Sequence, residues 1–150
     1  MINKDKAFWD MVNGNLSGHP TSKLLGWKCL NIDTEKGTIE VEFQPRKDFL
    51  NPAGFVQGGL VAAMLDDTMG PIVYATLEEG EFNPSIEFKV NFIRPVKIGK
   101  LIAKAHIIYR GKSIAFVESE LRNTDGQLLA TATGTMKIVH AQTGFGEFKE

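Results

Sequence analysis

The chain has 150 residues, 17 of them Lys or Arg and 18 Asp or Glu, for a formal net charge of −1. That length suits a single domain over residues 1–150 with a sizeable core and no need of staples, and so even a charge balance shows no bias toward nucleic acid. No run of twenty apolar residues occurs, and acidic residues stand near the N-terminus where a secretory signal would be basic and then apolar, so a soluble cytoplasmic protein outside the membrane is expected.

In chain order, Asn3 to Val12 carries Ala7, Phe8, Met11 and Val12 on one helical face. A short amphipathic helix over 3–13 follows, ending near Gly14 and packing on the domain as a lid. Gly18-His-Pro20 breaks that pattern, and strands are predicted over Leu25 to Ile32 and Thr38 to Phe43, joined as a hairpin through Asp33-Thr-Glu-Lys-Gly37. Pro45 to Pro52 reads as a loop. From Gly58 to about Leu77 the residues are mostly Leu, Val, Ala, Met and Ile, too apolar for a surface helix, so burial on most sides is expected, with a stop near Gly80. Next, Ile86, Phe88, Val90 and Phe92 alternate with Glu87, Lys89 and Asn91, the pattern of a strand with one buried face. Further strands are predicted at about Ile98 to Tyr109, Ser113 to Asn123 and Leu128 to Val139, and Arg110-Gly-Lys112 and Thr124-Asp-Gly126 are short enough for tight hairpins. The residues from about Ala141 are polar and expected to fray.

The order is helix, two strands, long apolar helix, then a meander of four strands. Short hairpins imply antiparallel pairing, and an apolar helix must be covered by the sheet. The fold class is therefore α+β, a curled antiparallel sheet wrapped around one long central helix. One sheet cannot cover such a helix entirely and leaves edge strands open. A symmetric dimer answers both problems.

The most informative stretch is Asn51-Pro-Ala-Gly-Phe-Val-Gln-Gly-Gly-Leu-Val-Ala-Ala-Met-Leu-Asp66, a glycine pair running into the apolar helix with a carboxylate inside it. A helix start leaves N–H groups without intrahelical partners and carries partial positive charge, so negative charge is welcomed there. Gly58 and Gly59 let a ligand approach those amides. At about 100° per residue Gly59, Ala62, Ala63, Asp66, Gly70 and Val73 share one face, small and apolar except for Asp66. Small residues admit another backbone or a substrate. The plainer alternative is that Asp66 and Asp67 form a solvated pair on a less buried helix. The single cysteine, Cys29, has no bridging partner and reads as a packed thiol in a strand. His19, His106 and His140 show no metal-ligand spacing, so no metal is expected.

These residues resemble the hotdog-fold acyl-CoA thioesterases, and within them the phenylacetate-degradation branch. The resemblance runs from about Leu24 to Val139 and is carried by Asn51-x-x-Gly54-x-x-Gln57-Gly58-Gly59 with Leu65-Asp66, by Phe92-Ile-Arg-Pro95 with Gly99, and by Arg110-Gly-Lys112. It implies hydrolysis of an acyl-CoA thioester without a separate cofactor, since CoA is part of the substrate. It also implies a homodimer with shared active sites, which in this family often assembles into a tetramer. By resemblance the Gly58 amide polarises the thioester carbonyl, and Asp66 is the catalytic carboxylate, either nucleophile through a mixed anhydride or general base on water. Eight residues from Gly58 to Asp66 span about 12 Å of helix, too far for both to meet one carbonyl within one subunit. Supply of Asp66 by the partner subunit, the family's arrangement, is what that geometry requires.

Asn51 matches a position that orients the reacting groups, or else serves as a turn or cap before Pro52. Ser85 matches a position that in some relatives holds the water, although strand alternation puts it opposite Ile86 and the core face. Gln57 departs from the family's usual histidine: its amide can donate a hydrogen bond but cannot titrate near neutral pH. Arg94, Arg110 and Lys112 are candidates for the CoA phosphates, with ordinary surface charge as the alternative. The acyl pocket is expected to draw on Gly59, Phe55 and Val56. A hydratase would need a histidine paired with an acid, and no histidine falls in the loop or helix where that pairing is built. A non-catalytic acyl-CoA binder or sensor is the alternative function, since the same pocket without an activated water would still bind thioester.

Overall fold

The computed structural model describes residues 3–140, so the tail from Ala141 lies outside the described residues. A six-stranded antiparallel sheet, in the order β1-β2-β5-β6-β7-β4, curls around helix α3 (Gly58–Tyr74). Its strands are β1 (Lys28–Asp33), β2 (Thr38–Phe43), β4 (Ser85–Phe92), β5 (Leu101–Arg110), β6 (Ile114–Asn123) and β7 (Leu128–Lys137). A two-stranded pairing of β3 (Glu81–Phe82) with β8 (Val139–His140), absent from the sequence reading, closes one end. This is the hotdog architecture.

Alternation along β2, β5, β6 and β7 sends Val41, Phe43, Ala103, Val117, Leu121 and Ala130 inward onto Val61, Met64, Leu65, Thr68, Met69 and Ile72 of α3. Small residues on the strands let the helix sit close: a Cβ on Gly134 would lie 3.2 Å from the Met69 methyl. The outer face is polar and cross-paired, with Lys104 against Glu40 at 3.3 Å and Lys100 against Glu42 at 3.0 Å.

Several expectations need correction. Leu25 closes a second helix, α2 (Pro20–Leu25), instead of opening a strand. Pro20, read as part of a breaker, presets φ at the first helical position, and Gly26, expected inside a strand, supplies the left-handed stop at φ 69°. Helix α1 (Lys6–Val12) is shorter than predicted and begins where the Asp5 carboxylate accepts from the N–H groups of Ala7 and Phe8. It docks Phe8 and Val12 near Tyr74 and Ala75, at the C-terminal end of α3, so it straps the end remote from Gly58 and is no lid over it. Helix α3 stops at Tyr74, short of Leu77.

The last four long strands are not a simple meander. Strands β5, β6 and β7 follow one another by hairpins, but β4 pairs with β7 at the sheet edge, and residues 93–100 carry the chain back to β5 beside β2. Pro95 cannot donate to a ladder, which helps end β4 there. The face of β4 predicted to be buried is only partly so in the protomer. Phe88 and Phe92 pair with Gly134 and Ala130, whose side faces α3, yet they remain 37% and 59% exposed at this edge strand, while Val90 between them is half-buried against the core. Ile86 is 57% exposed.

Candidate active site

The approach to α3 is built by Asn51. Its Oδ1 accepts from the N–H groups of Ala53 at 3.0 Å and Phe55 at 3.1 Å, and its own N–H donates to the Phe55 carbonyl at 2.7 Å. This Asx-type turn, with Gly54 at φ 83°, holds the loop. The Asn51 carboxamide thus serves the turn through its oxygen and turns the groove's wall through its position. The Val56 and Gln57 N–H groups then donate to the Val96 and Phe49 carbonyls, both at 2.8 Å, fixing where the helix begins.

At the helix start Gln57 is the cap residue, its Oε1 accepting from the Leu60 N–H at 3.2 Å. The side chain folds over Gly59, where a Cβ would come within 2.8 Å of that oxygen. Gly59 therefore makes room for the cap as well as exposing the helix end. Among the described residues no acceptor meets the Gly58 N–H. That amide opens on a groove of about 370 Å3 lined by Asn51, Phe55, Val56, Gly58, Phe92 and Ile93, among others. Val56 is buried and forms its floor, while Phe55 is half-buried at its wall. A groove lined mainly by apolar side chains, with Asn51 and Arg94 the polar ones and a helix-terminal donor beside it, suits an uncharged chain ending in a carbonyl.

Two turns along, Asp66 lies on the side of α3 that the sheet leaves uncovered, together with Ala62, Ala63 and Gly70, all half-buried, and the exposed Gly59. The Ser85 hydroxyl donates to Asp66 Oδ1 at 2.9 Å. Strict alternation would have sent Ser85 away from the helix. The register of β4 against β7 shifts between Ser85 and Glu87, and that irregularity turns Ser85 to the carboxylate.

Asp67 is not the solvated neighbour that the plainer sequence alternative pictured. Its Oδ2 is buried with no hydrogen-bond partner, and burial first, then the neighbouring Asp66 charge, push its carboxyl up to about 7. Its backbone is accounted for. Pro71 inside the helix lacks the N–H that would bond the Asp67 carbonyl, and the Trp27 indole N–H takes that place at 3.0 Å. In β1, burial pushes the Cys29 thiol up to about 11, a packed thiol with little thiolate at neutral pH.

The cationic candidates divide. Arg94 lines the Gly58 groove while its Nη1 donates to the Leu128 carbonyl at 2.7 Å. Arg110 reaches the other end of α3, with Nε donating to Thr76 Oγ1 at 3.3 Å and Nη2 lying 3.5 Å from Glu81 Oε2. Lys112 is exposed in the β5–β6 turn. The protomer thus gathers Asn51, Phe55, Val56, Gln57, Gly58, Gly59 and Arg94 at one end, Asp66 with Ser85 midway, and Arg110 with Lys112 at the far end. Sequence reading missed Phe92 as part of the groove because its alternation assigned it to a buried face. Its place in Phe92-Ile-Arg-Pro95 was the available signal.

A family model described as the Thioesterase superfamily matches residues 53–130, just over half the chain and spanning the glycine motif and Asp66. A solved structure of a phenylacetic acid degradation-related protein from Ralstonia eutropha JMP134 is 37% identical, covering 87% of this chain and 98% of its own with a TM-score of 0.82. The human acyl-coenzyme A thioesterase 13 is 23% identical over 92% of this chain and 99% of its own. The E. coli PaaI protein of the phenylacetic acid degradation operon, 19% identical over 89% of this chain and 94% of its own, shares the fold with a TM-score of 0.78. With the glycine-led central helix, the curled sheet and this match in sequence, the chain belongs to the thioesterase superfamily, hydrolases of the hotdog fold.

Proposed function

We propose that the protein is a cytoplasmic acyl-CoA thioesterase working as a homodimer, with each active site made from Gly58 of one subunit and Asp66 of the partner subunit. The observation that carries this reading is the Gly58 N–H, which has no acceptor among the described residues at the N-terminus of α3, where Gly58 lines a mainly apolar groove. A thioester carbonyl accepting from that amide gains most as its oxygen becomes negative, when helix-terminal charge stabilises it further. Asp66 cannot reach the same carbonyl from within the protomer across about 12 Å of helix. The uncovered small-residue face of α3 and the exposed apolar edge of β4 give a second copy of the chain a surface to cover, and a tetramer is a further step of assembly.

With Ser85 donating to one oxygen of Asp66, the other oxygen is left to act. As general base it takes a proton from water, the water oxygen bonds to the carbonyl carbon, and collapse breaks the C–S bond. The CoA sulfur leaves with the proton, and the acid is the second product. As nucleophile the same oxygen bonds to the carbonyl carbon, the C–S bond breaks and the CoA thiolate leaves to take a proton from solvent; water then cleaves the mixed anhydride to the acid and returns the Asp66 carboxylate. No separate cofactor is required in either route. Arg94 beside the groove is placed to meet a CoA phosphate, and Arg110 and Lys112 would do so only from a neighbouring subunit. The Gln57 amide, already occupied as a cap, supplies no base at this end.

The test is release of CoA thiol from a panel of aryl and fatty acyl-CoA thioesters by the wild type and by Asp66→Asn, with native mass measured in parallel. Hydrolysis that falls by at least ~100-fold in a variant of unchanged assembly supports the reading. Saturable binding of acyl-CoA with no thiol release by the wild type would instead make the protein a binder or sensor.

A further inference from the structure

We propose that Phe92 sets how much bulk the site accepts beside the reacting carbonyl. The inference rests on the thioesterase reading above and deepens it. The tip of the Phe92 ring stands over the helix start: a Cβ on Gly58 would lie 3.3 Å from its Cζ and 3.4 Å from its Cε1. The ring is nonetheless 59% exposed, so it is a wall of the groove and not a plug in the core. Its backbone is fixed. Phe92 pairs with Ala130, and the next two N–H groups, of Ile93 and Arg94, both donate to the Leu129 carbonyl at 2.9 and 3.0 Å.

A carbonyl oxygen bonded to the Gly58 N–H at about 2.9 Å would enter the same groove that this ring walls. Carbon atoms pack at roughly 3.5–4.0 Å, so a methyl added beside the carbonyl carbon competes with the ring for the width of the groove. Of the two atoms attached there, sulfur is always followed by the same unbranched methylene of CoA. The acyl α-carbon is therefore where substrates differ in bulk. A straight acyl group can run along Phe55, Ile93 and Val96 in the open groove, whereas a branch at the α-carbon is driven into Phe92.

Two matched substrate pairs test this by thiol release: hexanoyl-CoA with 2-methylpentanoyl-CoA, and phenylacetyl-CoA with 2-phenylpropanoyl-CoA. The wild type is expected to prefer the unbranched member in kcat/KM by about 10-fold or more, the scale on which one methyl group is discriminated in an apolar pocket. Phe92→Ala is expected to bring the ratio of kcat/KM between branched and unbranched members close to one. Phe92→Leu, which keeps more of the side-chain volume, should give an intermediate ratio and carries the test where the alanine variant does not fold. An unchanged ratio in a folded, active variant overturns the role of Phe92 and leaves the hydrolase reading standing. A wild type that releases no thiol from these esters or from the wider panel overturns the hydrolase reading and this inference with it.

Discussion

The two ends of α3 are finished in opposite ways. At the C-terminal end the free carbonyls find donors: Asn3 gives its Nδ2 to the Tyr74 oxygen at 2.8 Å and its N–H to the Ala75 oxygen at 3.3 Å, and Thr76 Oγ1 bonds the Val73 oxygen at 2.7 Å. Asn83 Nδ2 takes the Gly70 oxygen at 3.0 Å, and the strap itself is held by Trp9 on the Asn3 oxygen and by the Tyr74 hydroxyl on Asp5. At the N-terminal end one side chain caps one N–H, and Gly58 faces an open groove. Both ends begin with the same deficit of unpaired backbone groups. The C-terminal end draws donors from three separate segments, Asn3, Thr76 and Asn83, and the contrast agrees with the proposed role of the open end in meeting a substrate carbonyl.

The largest effect should come from closing the open end chemically. Gly58→Pro removes the N–H while keeping the helix, because proline is well tolerated at the first helical position and Gln57 already holds the extended conformation proline asks of its predecessor, φ −61° and ψ 137°. If the amide stabilises the developing oxyanion, kcat should fall by roughly 100- to 1,000-fold relative to Gly58→Ala, which places the same Cβ about 3.3 Å from Phe92 but keeps the N–H. Activity within a few-fold of wild type in a folded Gly58→Pro protein would remove the amide from the mechanism.

The closed half has one exception, Asp67, whose Oδ2 is buried and unpaired. Its carboxyl is raised from 3.8 to about 7, so the folded state holds a proton that the unfolded chain releases earlier. Stability from this group is therefore full below about pH 4, declines as pH rises toward 7, and is lost above it, at about 1.4 kcal/mol per pH unit within that window. Asp67→Asn cannot ionise and should escape the decline. Denaturant unfolding at pH 5 and pH 9 should show the variant gaining on the wild type by a few kcal/mol between the two. Parallel stability curves would mean that the carboxylate is solvated after all.

Local signals made much of this legible. The apolar run after Gly58 gave α3, and Asp33 to Gly37, Arg110 to Lys112 and Thr124 to Gly126 gave the hairpins, because each is decided by neighbours in sequence. The placement of β4 beside β7 was not legible, since alternation says which way side chains point and nothing about which distant strand will pair. The same limit left Ser85 readable only through the family resemblance and hid Phe92. Ser85 reaches Asp66 through a register shift, and Phe92 comes near Gly58 because an edge strand runs past the helix start. Pro20 is visible as punctuation, but Gly26 reads as part of a strand, because a helix of six residues has too few turns to show a period. At Asn51 the chemistry was ambiguous from sequence, and the bonds to Ala53 and Phe55 give it a turn-building role beside the groove.

The smallest expected effect sharpens what the open end requires of its cap. Gln57 uses its Oε1 to accept from the Leu60 N–H, and a neutral histidine ring nitrogen can accept in the same way, so Gln57→His should cost the fold no more than about 1 kcal/mol. The proposed chemistry assigns proton transfer to Asp66 and carbonyl polarisation to Gly58, so exchanging one hydrogen-bonding group for another at position 57 should retain or raise turnover. A histidine near its ordinary pKa would also add a titration between pH 5 and 8 to the rate profile, one the glutamine protein cannot have. A large loss of turnover in a folded Gln57→His variant would show that the amide does more than cap the helix, and that the open end depends on a donor at position 57 as well as on the Gly58 amide.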